Sequence, residues 1–199
     1  MGLKSWLSIP FAKLEANKVK KWSNAPIVAQ KNVLEELIRG AKNTQFGKDH
    51  QFSEITTYEA FKKHVPVTDY EGLKCYVDQV KDGVADVLWK GKPIYLCKTS
   101  GTTSGTKYIP ITKESISNHI DAARNAILCY IAETGKAQFV DHKMIFLQGS
   151  PELDTTGAIP TGRLSGIVAH HVPNYLQKNR MPSFKTNCID DWEKKVEAV

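Results

Sequence analysis

The sequence predicts an α/β fold, with helices packed around a β-sheet and one β-hairpin carrying a loop suited to phosphate. Three observations predict it. Apolar residues recur at helical spacing over several stretches that end in capping or stop residues. Two short runs of strand formers face each other across residues 99–107. Those nine residues are glycine and hydroxyl side chains closed by one lysine.

The elements follow in order. Helices are expected at about 11–22 and 27–42; in the second, Val33, Leu34, Leu37 and Ile38 make an apolar stripe and Gly40 stands near its end. Residues 57–64 form a short helix stopped by Val65-Pro66, because the residue before a proline is pushed out of the helical region. Thr68-x-x-Glu71 reads as a capping box that opens a helix with Leu73, Val77 and Val80 on its face and Gly83 as its stop. Pro93–Cys97 and Tyr108–Ile111 are the two strands of the hairpin. Pro110 cannot donate to a ladder, which places the second strand at an edge or near its end. Thr112 can cap the next helix, where Ile116, Ile120, Ala123, Ile127 and Ile131 recur at helical spacing up to Gly135. Residues 144–147 read as a short buried strand, 150–166 as a loop, and 190–199 as the start of a helix.

Composition narrows the function classes. At 199 residues the chain is one large domain or two small ones, able to bury roughly 70% of its unfolded surface. No apolar run approaches the roughly 20 residues of a membrane helix and no signal peptide is visible, so the cytoplasm is the expected compartment. Met1-Gly2 is not followed by the hydroxyl residue a myristoylation signal wants, since position 6 is Trp6. The four cysteines, Cys75, Cys97, Cys129 and Cys188, are far apart and lack zinc-ligand spacing, so they read as buried thiols and no protein-held metal is expected. His170-His171 reads as a strand end with one ring packed and one solvated. Of the net charge of +6, most sits in residues 1–50, where nine lysines and arginines face four acids. A basic arm can bind nucleic acid, but these lysines are spread along helical segments without interleaved aromatics, so a solvated helix face is preferred.

The loop Thr99-Ser-Gly-Thr-Thr-Ser-Gly-Thr-Lys107 carries the chemistry. Glycines let a backbone turn its N–H groups toward one point, hydroxyls add neutral donors, and Lys107 adds a point charge. The natural guest is a polyphosphate, hence a nucleotide. It is not the loop of P-loop ATPases, which has four residues between its glycines, lysine directly after the second, and a helix at once. Here three residues separate Gly101 from Gly105, Thr106 intervenes, and a strand follows. The Gly-x-Gly-x-x-Gly dinucleotide pattern is absent too. The plain alternative is a surface turn, since such clusters commonly join strands; the ordered alternation and the flanks favour a ligand.

A Ser/Thr/Gly-rich hairpin ending in lysine resembles the phosphate loop of adenylate-forming enzymes. With its extension Tyr108-Ile-Pro-Ile-Thr112, it is similar to the auxin-responsive Gretchen Hagen family of acyl acid–amido synthetases. Phe61-Lys-Lys-His-Val-Pro-Val-Thr-Asp-Tyr-Glu71 and Gly162-Arg-Leu-Ser-Gly-Ile167 fit the same family. The segments Lys21-Trp-Ser-Asn24 and Thr44-Gln-Phe-Gly-Lys-Asp-His50 look more like its bacterial members.

The resemblance implies that residues 1–199 are the N-terminal portion of a large adenylation domain: a helical region to about 83, the hairpin at about 93–111, and a helix and sheet region from 112. It implies ATP with Mg²⁺, a carboxylic acid activated as its acyl-adenylate, and an amine or amino acid that takes the acyl group. Ser100, Gly101, Thr102, Thr103, Ser104 and Gly105 would wrap the β- and γ-phosphates, Lys107 would neutralise their charge, and Thr99 would hold the start of the loop. Helix 113–134 would wall the acyl pocket, with Arg124 a candidate for the acyl carboxylate beside the reading of a surface arginine. The family's adenine and ribose motifs have no counterpart here, so this chain alone is expected to be inactive. A non-catalytic phosphate-binding module, a coenzyme A ligase of the same superfamily, and a basic nucleic-acid binder are the alternatives.

Overall fold

Helices begin where a side chain can take up the free N–H groups of a first turn. A computed structural model describes residues 2–99, 105–146, 148–172, 178–189 and 191–199. In chain order these form α1 (Leu3–Ser23), α2 (Pro26–Ala41), α3 (Gln45–Asp49), α4 (Tyr58–His64), α5 (Tyr70–Lys81), β1 (Tyr95–Lys98), β2 (Tyr108–Ile111), α6 (Lys113–Thr134), β3 (Met144–Ile145), β4 (Thr161–Gly162), α7 (Leu164–Ala169), β5 (Arg180–Met181), α8 (Phe184–Asn187) and α9 (Trp192–Glu197). Trp22–Lys113 with Asp154–Thr161 make one compact unit; the chain up to Lys21, Glu114–Leu153 and Gly162–Val199 make another.

The first unit carries the hairpin. Thr57 caps α4 by accepting from the Ala60 N–H at 3.1 Å, and Val65 ends it as predicted. The cap of α5 is Asp69, which accepts from the Gly72 N–H at 3.1 Å, so the predicted Thr68 lies one residue outside the helix. Gly83, at φ +83°, follows its last turn as predicted. β1 and β2 pair antiparallel, Leu96 opposite Pro110 and Lys98 opposite Tyr108. The sheet order is β2-β1-β4, so Pro110 sits on the edge strand, where its missing N–H leaves no ladder bond unmade. The other side of β1 is used: the Leu96 N–H donates to the Pro160 carbonyl at 2.9 Å.

Val80, Val87, Leu96 and Ile159 form one core beneath this hairpin, joined by Tyr76, Leu88 and Tyr108. A second core joins Ile38, Ala41, Phe52 and Ile55 to Leu34, Phe46, Phe61 and Trp89. Only half of the predicted α2 stripe turns inward, since Val33 and Leu37 are 55% and 51% exposed. The turn into α3 is tight. Buried Thr44 donates its hydroxyl to the Ala41 carbonyl at 2.7 Å and accepts from the Gly47 N–H at 3.0 Å.

In the second unit, α6 packs Leu128 and Ile131 against Ala12 of α1 and Ala137. Ile116 and Ile131 are buried as predicted, Ala123 is exposed, and Leu128 takes a place the predicted stripe left out. Gly135 adopts φ +68° just beyond the helix. The predicted strand at 144–147 is not buried: β3 pairs in parallel with β5, and Ile145 is 67% exposed. Leu147 lies outside the described residues. Nor is 150–166 all loop, since it includes β4 and the start of α7. His170 stands at the end of α7 rather than of a strand, its Nε2 2.6 Å from the Pro151 carbonyl.

α1 begins eight residues before the predicted start and runs through Pro10. Its first turn is capped from far along the chain by Asp141, which accepts from the Gly2 N–H at 2.7 Å and the Ser5 N–H at 3.2 Å. Hydrogen bonding by the Ser5 side chain, and then by these N–H groups, holds the Asp141 carboxyl below its usual pKa. A carboxyl depressed in the folded state stabilises the fold above its ordinary pKa, about 3.9, and loses that contribution as pH falls through the lower folded value. Acidification below about pH 4 is therefore expected to loosen the start of α1. The Ser5 amide shift should titrate with Asp141 by NMR, and Asp141→Asn should abolish that step. A Ser5 shift that titrates identically in the variant would remove Asp141 as the cap.

Candidate functional site

The predicted hairpin positions the lysine that ends the loop. The Thr99 N–H donates to the Lys107 carbonyl at 3.0 Å, one step beyond the last ladder pair, and so pins the two ends of the loop together. Gly105 adopts φ +80° with open space where a Cβ would stand, a conformation that favours glycine at the point where the chain turns back. Strand β2 follows directly, with no helix at Thr106 or Lys107, so the geometry departs from that of P-loop ATPases. Ser100, Gly101, Thr102, Thr103 and Ser104 lie outside the described residues.

Helix α5 supports this stem. Tyr70, fixed at its first position by the Asp69 cap, accepts from the Tyr108 N–H through its hydroxyl at 3.0 Å. Lys107 Nζ stands 5.6 Å from the centroid of the same Tyr70 ring, within cation–π range. At the other end of α5, Lys81 Nζ lies 4.4 Å from the Tyr108 ring. Tyr70 is thus both a brace for β2 and a platform for the cation. Sequence reasoning missed it, although it falls inside the 61–71 segment that carries the family resemblance.

The two lysines flanking the loop are treated differently. Lys98 is matched by Asp154 at 3.4 Å. The Thr156 hydroxyl, the Thr156 N–H and then Lys98 hold the Asp154 carboxyl below its usual range. Lys107 has a ring face beside it and, among the described residues, no carboxylate within ion-pairing distance. A ring quadrupole orients an ammonium without neutralising it, which leaves the charge available to an anion.

Arg124 belongs to the other unit. It lies on the exposed side of α6, 3.0 Å from Asp121, with its guanidinium 6.0 Å from the Phe11 ring. Among the described residues, no group of three or more His, Cys, Asp or Glu side chains is placed to hold a metal ion. Among the same residues, no helix is long and apolar enough to cross a membrane.

A family model described as the GH3 family N-terminal domain matches residues 15–196. The chain belongs to the GH3 family. Indole-3-acetic acid-amido synthetase GH3.15 of Arabidopsis thaliana is 34% identical over 95 residues, which is 47% of this chain and 14% of that protein. GH3.5 of the same plant, also an indole-3-acetic acid-amido synthetase, is 29% identical over 145 residues, 69% of this chain and 22% of the relative. A solved structure of GH3.15 acyl acid amido synthetase superposes with a TM-score of 0.73 at 18% identity, covering 88% of this chain and 31% of that one. The α/β class read from the sequence is thus the GH3 fold, and the chain spans less than a third of these relatives.

Proposed function

We propose that this chain supplies the polyphosphate-binding loop of an ATP-dependent acyl acid–amido synthetase. The observation that carries the reading is Lys107, a cation beside the Tyr70 ring at the foot of a glycine- and hydroxyl-rich loop with, among the described residues, no carboxylate within ion-pairing distance. ATP is a substrate: a carboxylate oxygen attacks its α-phosphorus, pyrophosphate leaves, and an amine then displaces AMP from the acyl carbon to give an amide. This chain's residues hold and orient. Lys107 draws the charge of the outer phosphates, Gly105 lets the backbone come close to them, and Thr99 fixes the start of the loop, with Ser100 to Ser104 adding hydroxyl and N–H donors. Mg²⁺ would accompany the phosphates and offset part of their charge beside Lys107.

The names of the relatives support an acyl acid and an amino acid as the two partners. Arg124 is proposed for the acyl carboxylate, which would take the place of Asp121. That exchange costs little, because side chains 43% and 46% exposed make an ion pair worth about 0–1 kcal/mol.

The 199-residue chain by itself is expected to bind MgATP weakly. A few charge-assisted bonds in open water, offset by the freedom that association removes, leave about 4 kcal/mol, or roughly millimolar affinity for MgATP. NMR titration should shift the amides of Thr99, Gly105, Lys107 and Tyr108, and pyrophosphate exchange with aryl and alkyl acids should be undetectable. Absence of any shift at these amides would sink the phosphate-loop assignment. Micromolar affinity or measurable exchange would show that the chain holds more of the active site than its loop.

A further inference from the structure

Arg180 is a half-buried cation with neutral partners. It opens β5, which pairs in parallel with β3, and its guanidinium meets Phe146 and Gln148 just past the end of β3. One guanidinium N–H donates to the Gln148 side chain, which must present its amide oxygen because arginine has no acceptor. The centroid of the Phe146 ring lies 5.4 Å from the guanidinium carbon. Among the described residues no carboxylate stands within ion-pairing distance, whereas Arg124 has Asp121 at 3.0 Å. Burial lowers the pKa of the Arg180 guanidinium, and no described charge offsets that effect. A cation withdrawn from water calls for a counter-charge.

The same guanidinium lines a recess. Gln148, Arg180, Pro182, Phe184 and Asn187 surround about 200 Å³ of open space. With its oxygen taken by Arg180, Gln148 keeps two amide N–H donors. Asn187, 3% exposed, is tied back by its Nδ2 to the Pro182 carbonyl at 3.3 Å. Pro182 and the Phe184 ring, 44% exposed, add apolar wall. We propose that this recess binds a small apolar monocarboxylic acid, with the Arg180 guanidinium as counter-charge to its carboxylate and the Gln148 amide as a second donor. The planar fork of arginine matches the two oxygens of a carboxylate. A phosphate would set further charged oxygens against Phe184 and Pro182 without a partner for them. The space is smaller than the roughly 300–1,000 Å³ of sites for drug-sized ligands, so the guest is small. Neither the ATP reading nor the role proposed for Arg124 bears on this site.

The test titrates sodium benzoate into the 199-residue chain, in a buffer free of carboxylate and phosphate, and follows it by NMR. The amides of Gln148, Arg180 and Asn187 should shift to saturation at roughly millimolar concentration. Benzamide, the neutral isostere, and inorganic phosphate should each need about tenfold more or fail to saturate. Gln148→Glu sets a carboxylate of the same shape against the guanidinium, so it should weaken benzoate by about tenfold or more. Arg180→Met should do the same by removing the charge. No saturable shift at these amides overturns the proposal, as does a response to phosphate or benzamide equal to that to benzoate. Unchanged benzoate affinity in Gln148→Glu overturns it as well, and decides the matter if Arg180→Met does not fold. Shifts centred on Arg124 and lost in Arg124→Met would place the carboxylate there and refute the assignment to Arg180.

Discussion

Lys107→Ala is expected to raise the dissociation constant for MgATP by about tenfold or more while leaving the fold intact. A charge-assisted hydrogen bond to phosphate contributes about 1.5–3 kcal/mol, and each 1.4 kcal/mol is a factor of ten. The cost to stability should stay below about 1 kcal/mol, because the side chain's only described partner is the Tyr70 ring face. Lys81→Ala is the control: it removes a neighbouring cation that stands over Tyr108 and reaches Asp78 at 4.0 Å. If both variants weaken MgATP equally, general positive charge and not the position of Lys107 attracts the phosphates. Unchanged affinity in Lys107→Ala would take Lys107 out of the site.

The largest effect on stability is expected at Gly47. A Cβ added there would stand 2.1 Å from the Ala41 carbonyl oxygen, a backbone atom that cannot rotate away. The same carbonyl receives the Thr44 hydroxyl, and Thr44 in turn accepts the Gly47 N–H, so relieving the clash means opening the buried turn between α2 and α3. Overpacking in a buried site typically costs 1–3 kcal/mol, and a backbone clash of this size places Gly47→Ala at about 3 kcal/mol or more. Urea unfolding followed by circular dichroism measures it. A variant within about 0.5 kcal/mol of the parent would mean that the turn is looser than described.

Gly47 also shows why parts of the fold were legible in the sequence and others were not. Signals that act within a few residues are readable: the Val65-Pro66 stop, Gly83 and Gly135 beyond their helices, and the two runs of strand formers that make a hairpin of 95–111. The capping box was misplaced by one residue because Thr68 and Asp69 are both good caps, and only the backbone course decides between them. The start of α1 was lost for a different reason. Its cap, Asp141, stands 136 positions beyond Ser5, and no local pattern announces a partner that distant. The candidate site divides in the same way. The loop and Lys107 are visible as composition, whereas the Tyr70 platform and the Asp154 partner of Lys98 exist only through tertiary contact.

The far-off cap of α1 and its exposed Leu3, Leu7, Phe11 and Leu14 bear on how the protein is made. α1 is made before the elements that cover it, and Ala12 meets Leu128 and Ile131 only after more than a hundred further residues have been translated. At about 5–20 residues per second that interval is on the order of ten seconds. During it the nascent helix presents Leu3, Leu7, Phe11 and Leu14 on one side and an uncovered Ala12 on the other. An apolar segment is thus made early and covered late, which makes α1 a natural client of ribosome-associated chaperones.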